Sequence, residues 1–305
     1  MPWLRRWRTR WRTCRKRCRG EINLVGGPDL SGSLSKTLTS QRAPNNPMTL
    51  LQPTILRFDL IDSTNLEAIR QARAGAPEGL CIIAREQAAG RGRLDRRWHS
   101  AKDAGLYFSI VLRPALEMNL WPLLPLMSAL AVSDALMKSC GLSTDIKWPN
   151  DILANDRKLC GILVETVETE TGSAAIVGIG INLTSEGVPE DLRATATSVE
   201  ETANRRPDTE GVVTGLLEAI ARRYEVLQIA GGAEHTLREW CANSSFAFDR
   251  QVRVSLGGDS FTGTTRGLES DGALRVETAD GKIKIVRAGD VTALRPLELT
   301  TRHAE

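Results

Sequence analysis

Alternating and helical apolar periods begin near residue 54. In TILRFDLIDSTN (54–65), apolar positions 55, 56, 58, 60 and 61 predict a strand. DSTNLEAIRQARAG (62–75) then predicts a helix, opened by a capping residue, with Leu66, Ile69 and Ala72 on one face and Gly75 as its stop. GLCIIARE (79–86) reads as a short buried strand and LYFSIVLRP (106–114) as a strand rich in β-branched and aromatic residues. LLPLMSALAVSDALMKSCG (123–141) has helical spacing and a glycine stop. Strands are predicted over DIKWPNDILAN (145–155), KLCGILVETV (158–167) and SAAIVGIGINL (173–183), and a long amphipathic helix over 208–227.

After about residue 245 the pattern changes to short alternating runs split by GGD, SDG, ADG and AGD, which predicts a small all-β barrel. Helices and strands do not alternate regularly, so the fold class is α+β, a mixed sheet with helices rather than a doubly wound one.

Residues 1–47 show no sustained period. Residues 1–20 contain nine Arg or Lys and no acid, and residues 26–47 are rich in Gly, Ser, Thr, Pro and Asn. Disorder is expected there. A transit peptide, a basic arm for an anionic partner and translated upstream sequence with Met48 as the true start all fit, and the third is favoured. The division is therefore a basic leader (1–47), a main domain (48–243), a small β domain (244–298) and a tail (299–305).

Composition adds limits. The 305 residues are 41% hydrophobic and 25% charged, enough for two domains and a real core. No apolar run approaches the roughly 20 residues that span a bilayer, so a soluble chain is expected. Removing the nine leader cations turns the net charge of +3 into −6, which argues against a general nucleic-acid surface. The six cysteines, widely scattered apart from Cys14 and Cys18, read as small buried side chains in a reducing compartment, and three unclustered histidines argue against a His-built metal site.

Four stretches carry candidate chemistry. GRGRLDRRW (90–98) joins glycines, which let backbone approach a ligand, to arginine forks suited to carboxylate or phosphate; a solvated loop fits equally well. It is neither a Walker A loop nor a GxGxxG fingerprint. KWPND (147–151) brings a cation, an amide and a carboxylate to a bend, or is simply a turn with Asx chemistry. RKLCGILVE (157–165) has a glycine inside a strand, which marks either close approach of a ligand or a bulge. DSTN (62–65) alone reads as a helix cap.

In this order, with EQAAGRGR and GIGIN, the four stretches resemble the biotin protein ligases, also called biotin–[acetyl-CoA-carboxylase] ligases, over roughly residues 54–295. The resemblance implies a biotin/lipoate ligase core of the class II synthetase-like type, followed by an SH3-like barrel. It implies that biotin and ATP, with Mg²⁺, form biotinyl-5′-AMP, which passes biotin to one lysine of a biotin carboxyl carrier domain. By the same resemblance, Ser63, Thr64, Asn65, Gln87, Gly90, Arg91, Gly92, Arg93, Lys158 and Gly161 line the biotin site. Arg93, Trp98, Asn150, Lys158 and Asn182 contact the nucleotide. Arg93 and Lys158 neutralise the reacting anions, Asp151 orients or deprotonates the acceptor lysine, and Lys147 supports the site. Asp95 stands where many family members have glycine. It can adopt a left-handed turn or pair with Arg96 or Arg97.

A short type is implied, since no helix pair for a DNA-binding domain is seen before Asp62. A cytoplasmic monomer or homodimer, with no membrane and no specific DNA partner, is expected. Lipoate or octanoate ligation on the same core is the alternative enzyme reading. A nucleic-acid-binding regulator acting through residues 1–20 is the alternative from another class.

Overall fold

The structure, a computed structural model, describes residues 51–256 and 258–293. The readings placed on the leader, on the missing DNA-binding helices and on the tail lie outside the described residues.

Seven strands form one mixed sheet: β1 (Thr54–Ile61), β2 (Leu80–Gln87), β3 (Gly105–Leu112), β4 (Asp145–Lys147), β5 (Asp151–Ala154), β6 (Arg157–Thr169) and β7 (Gly172–Asn182). Their order is β1-β2-β3-β7-β6-β5-β4. Only β1 and β2 run parallel; the other pairs are antiparallel. Helix α1 (Thr64–Arg73) supplies the crossover between the parallel pair.

Strand periodicity assigns the two faces. Leu80, Ile82, Val111, Val167 and Ile176 join Ala68 and Ala72 of α1 in a small core. Cys81, Ile83, Phe108, Ile110, Val177 and Ile179 belong to the main core. That core is closed by α2 (Leu124–Cys140), α4 (Thr209–Gln228) and α5 (Gly232–Ala242), while α3 (Val199–Ala203) is a single short turn. Because both faces of β2 and β3 are covered, those strands read as continuous apolar runs. Burial pushes the Cys81 thiol up to about 12.

The structure corrects several expectations. The strand expected over 145–155 is a hairpin, β4 and β5, folded at 148–150 around a cis Trp148–Pro149 bond. Helix α5 lies where no element was expected; it is anchored by the fully buried Trp240. Residues 118–140 form one 23-residue helical stretch whose most apolar 18-residue window has a mean hydropathy of 1.5; 67% of that window is buried inside the fold, as in a core helix.

The expected barrel is an antiparallel sheet in the order β11-β10-β9-β8-β12. It comprises β8 (Phe248–Leu256), β9 (Asp259–Leu268), β10 (Leu274–Glu277), β11 (Ile283–Val286) and β12 (Asp290–Ala293). The four-residue edge strands β11 and β12 do not pair with each other, so the sheet is not closed among the described residues. Val252, Val254, Leu274 and Val276 continue the main core without a break. At that junction the Trp148 indole donates to the Gly272 carbonyl at 3.0 Å. Gly272 has φ +83°, and a Cβ there would stand 3.0 Å from Leu123 and Leu126, so the turn packs closely on the start of α2.

Candidate active site

A glycine-floored trough lies on the α1 face of the sheet. In GIGIN, Ile179 and Ile181 point into the main core, so Gly178 and Gly180 must face the other way. Gly180 pairs with Gly161 of β6. The trough holds the Trp98 ring: a Cβ on Gly161 would stand 2.9 Å from Trp98 Cζ3, and one on Gly180 2.5 Å from Trp98 Cε2. The irregularity in β6 falls between the Ile152–Cys160 and Leu153–Lys158 pairs, so the bulge is at Leu159 and Gly161 is the close-approach glycine.

One wall of the trough is a polar chain around the start of α1. Ser63 holds the N-cap position in extended backbone, but its side chain makes no capping bond, which corrects the cap reading. Asp62 takes a bidentate pair from Arg70 instead, at 2.9 Å to each oxygen. The Arg70 hydrogen bond pulls the Asp62 carboxyl down to about 2. Thr64 N donates to Gln87 Oε1 at 2.8 Å, and Gln87 Nε2 donates to Ser100 Oγ at 2.8 Å. Ser109 Oγ stands 2.8 Å from Thr64 Oγ1 and 2.7 Å from Asn65 Oδ1. Asn65 Nδ2 donates to Glu165 Oε2 at 2.9 Å.

GRGRLDRRW is a β-hairpin. Arg91 and Arg97 form an antiparallel bridge, Gly92 N donates to Arg96 O at 2.7 Å, and Trp98 N donates to Gly90 O at 2.9 Å. Leu94 and Asp95, at φ 55° and 57°, are the two left-handed central residues of a primed turn. Asp95 therefore takes the left-handed role, while Arg96 pairs with Asp290 and Arg97 donates to the Ala88 carbonyl. A Cβ on Gly90 would stand 2.4 Å from the Trp98 carbonyl, so the hairpin stem requires glycine there.

Arg93 reaches back from the hairpin. Its Nη1 donates to Asn150 Oδ1 at 3.2 Å and lies 3.5 Å from the Gly289 carbonyl at the foot of β12. Burial lowers the Arg93 pKa, while Asp290 and Asp151 oppose that shift. Asp151 begins β5 and is gripped from two sides: Lys158 Nζ is 2.6 Å from Oδ1 and Lys147 Nζ 3.6 Å from Oδ2. Lys158 Nζ also lies 5.4 Å from the Trp98 ring centre. The cluster of Arg93, Lys147 and Lys158 against Asp151 carries excess positive charge beside the trough, so it favours anions. Asn150 Nδ2 donates to the Ile162 carbonyl at 2.7 Å, and Asn182 Nδ2 donates to the Thr197 carbonyl at 3.0 Å.

The sequence-assigned residues fall into three groups. Lys147, Asp151 and Lys158 are joined by ion pairs; Trp98 and Gly161 meet in the trough, with Gly180, which the sequence reading did not assign; Thr64, Asn65 and Gln87 share the polar chain. Arg91 pairs with Glu165 at 3.0 Å. Asn182 stands apart at the end of β7, beside the segment that bridges to Lys158 at Ala196. Ser109, Ser100 and Glu165 were missed. Glu165 had a readable signal: it is four residues after Gly161 on one strand, hence on the same face.

Residues 58–182 match the biotin/lipoate A/B protein ligase family, and residues 247–292 match the biotin protein ligase C terminal domain. The chain is 36% identical over 233 residues to the bifunctional ligase/repressor BirA of Bacillus spizizenii, covering 75% of this chain and 71% of that protein. It is 32% identical over 239 residues to the biotin–[acetyl-CoA-carboxylase] ligase of Mycobacterium tuberculosis, covering 76% of this chain and 86% of that one. A solved biotin protein ligase from Aquifex aeolicus, in complex with biotin and ATP, superposes with a TM-score of 0.68 at 29% identity, covering 79% of this chain and 98% of that one. Two domain matches in the family order and relatives covered over most of their length lead to one conclusion: this chain belongs to the biotin protein ligase family.

Proposed function

We propose that the chain joins biotin to ATP, releasing pyrophosphate, and then passes the biotinyl group from biotinyl-5′-AMP to the ε-amine of one carrier-domain lysine, releasing AMP. The observation that carries this reading is the cation cluster of Arg93, Lys147 and Lys158 beside a glycine-floored trough. Two anions, a carboxylate and an α-phosphate, must meet there against their mutual repulsion. Lys158 and Arg93 offset that charge as it concentrates in the transition state. Ser63, Thr64, Asn65 and Gln87 form the polar end of the biotin site, and Gly90, Arg91, Gly92 and Gly161 shape its walls. Trp98 offers the adenine a stacking face, and its buried indole N–H is left without a protein acceptor. Asn150 and Asn182 stand at the nucleotide end.

In the second step the acceptor amine arrives mostly protonated at neutral pH, and Asp151 is placed to orient it or take its proton. Lys147 holds the far oxygen of that carboxylate. Mg²⁺ enters as the ion carried on the ATP phosphates. The partner is a biotin carboxyl carrier domain, and the reaction is assigned to the cytoplasm.

The test is pyrophosphate release by the full chain with ATP and biotin, followed by mass analysis of a carrier domain. Release that requires biotin, with a biotinyl mass gain on one lysine, is expected. Transfer of lipoate or octanoate but not biotin would overturn the proposal.

A further inference from the structure

Glu165 has been given no part in the reaction so far, yet it is the point where the hairpin and the polar wall meet. Its Oε1 pairs with Arg91 Nη1 at 3.0 Å, and its Oε2 accepts from Asn65 Nδ2 at 2.9 Å. From Asn65 the contacts run through Ser109, Thr64, Gln87 and Ser100, and Ser100 Oγ reaches the Trp98 carbonyl at 3.2 Å. Arg91 and Trp98 are the two ends of the same hairpin. The contacts therefore close a ring from one stem of the hairpin, through the sheet, back to the other.

We propose that Glu165 is a positioning residue for the biotin site: it fixes the sense of the Asn65 amide and ties the entry stem of the arginine hairpin to β6. This rests on the proposed biotin-ligase function. A carboxylate only accepts hydrogen bonds, so at 2.9 Å it draws Nδ2 of Asn65 toward itself, on the side where the Leu163 carbonyl accepts more weakly at 3.3 Å. Oδ1 must then face Ser109, and the hydroxyl of Ser109 is drawn toward Asn65. Asn65 is 4% exposed and Ser109 fully buried, so neither can turn to water instead. There is also no slack on the other side: a Cβ on Gly178 would stand 2.0 Å from Asn65 Oδ1. The polar chain is thus pinned at its β6 end by Glu165 and the Leu163 carbonyl, and at Gln87 by the Thr64 backbone N–H. The Glu165 charge also holds Arg91, whose hairpin carries Arg93 and Trp98.

The role separates binding from chemistry. Glu165 touches neither the cation cluster nor Trp98, so its loss should spare the reacting groups. The full-length chain is measured as wild type, Glu165→Ala and Glu165→Gln, with KM for biotin, KM for ATP, kcat of pyrophosphate release and thermal melting. Glu165→Ala should raise the biotin KM about tenfold, the scale of one lost charge-assisted hydrogen bond, with kcat and the ATP KM within about twofold. Glu165→Gln keeps the size and an acceptor for Asn65 but releases Arg91. It should therefore sit near wild type in biotin KM while labelling bystander lysines more freely. An unchanged biotin KM in a folded Glu165→Ala chain, or equal losses for biotin and ATP, would overturn the inference alone. If Glu165→Ala does not fold, Glu165→Gln decides: bystander labelling no greater than wild type sinks the proposal. A wild-type chain with no biotin-dependent pyrophosphate release removes the functional reading, and this inference with it.

Discussion

The Trp98 indole fills the space that a side chain at Gly180 would need, 2.5 Å from the position of its missing Cβ. The glycine is thus part of the ring's seat. Gly180→Ala should push the ring off β7, at a cost of about 1–3 kcal/mol of packing strain. The expected result is a weaker nucleotide affinity and a shifted tryptophan emission in the ligand-free chain. An unchanged emission spectrum and an unchanged ATP affinity would refute this seat.

Lys158 and Asp151 are assigned to different steps, so their variants should separate those steps. Lys158→Ala should slow adenylate formation by roughly 10²–10³, the scale of removing one preorganised charge-stabilising group. Asp151→Asn should leave adenylate formation closer to wild type and slow transfer to the carrier by roughly 10²–10⁴, as for loss of a general base. Single-turnover pyrophosphate release and carrier labelling measure the two steps separately. Equal losses in both steps for both variants would contradict the division.

Arg93 is the hairpin's link to Asn150 and Gly289. Arg93→Gly removes that link and one cation facing the anions. The adenylate should then escape before it meets the carrier, and free lysines on bystander proteins should be labelled. Labelling confined to the carrier lysine would show that another group retains the adenylate.

Leu94 is the costly residue of the turn. It sits at φ 55° and is 63% exposed, so it spends backbone strain without burying its side chain. A left-handed non-glycine residue costs roughly 1–2 kcal/mol. Leu94→Gly should recover part of that and raise the melting temperature by about 2–4 °C per kcal/mol in a domain of this size. Asp95→Gly should do so less, because Asp tolerates the left-handed region better. A fall in melting temperature in Leu94→Gly would mean that the side chain stabilises the loop by a contact elsewhere.

The Asp62–Arg70 pair sets one acid limb. The folded carboxyl, at about 2, lies below its ordinary value near 4. The pair therefore stabilises the fold fully above pH 4 and loses that contribution as pH falls from about 4 to about 2. Arg70 and Asp62 are about half exposed, so salt should weaken the effect. Asp62→Asn should flatten the stability curve between pH 4 and 2, as read by denaturant midpoints at each pH. An unchanged slope would place the acid limb on other carboxyls.

Much of the site was readable from local pattern. The alternation in GIGIN tells which residues face the core and which leave a gap. Helical spacing located α1, α2 and α4 to within a residue or two. KWPND was read as a polar bend, and it is one, although the strands on either side were merged into one. Helix α5 was missed, even though Ala233, Leu237 and Trp240 are spaced four and three apart; its stripe is short and follows two glycines.

What the sequence determined by itself was whatever depends on neighbours within a few residues: the periods, the stops, the face each side chain takes, and the order of motifs that points to a biotin ligase. Only the tertiary structure decided which charges meet. Arg96 finds Asp290, Arg91 finds Glu165 and Trp148 finds the Gly272 carbonyl across long stretches of chain. Ion pairs and hydrogen bonds act over a few ångströms in space and leave no period in the sequence. They exist only once the sheet register and the packing of the second sheet bring their partners together.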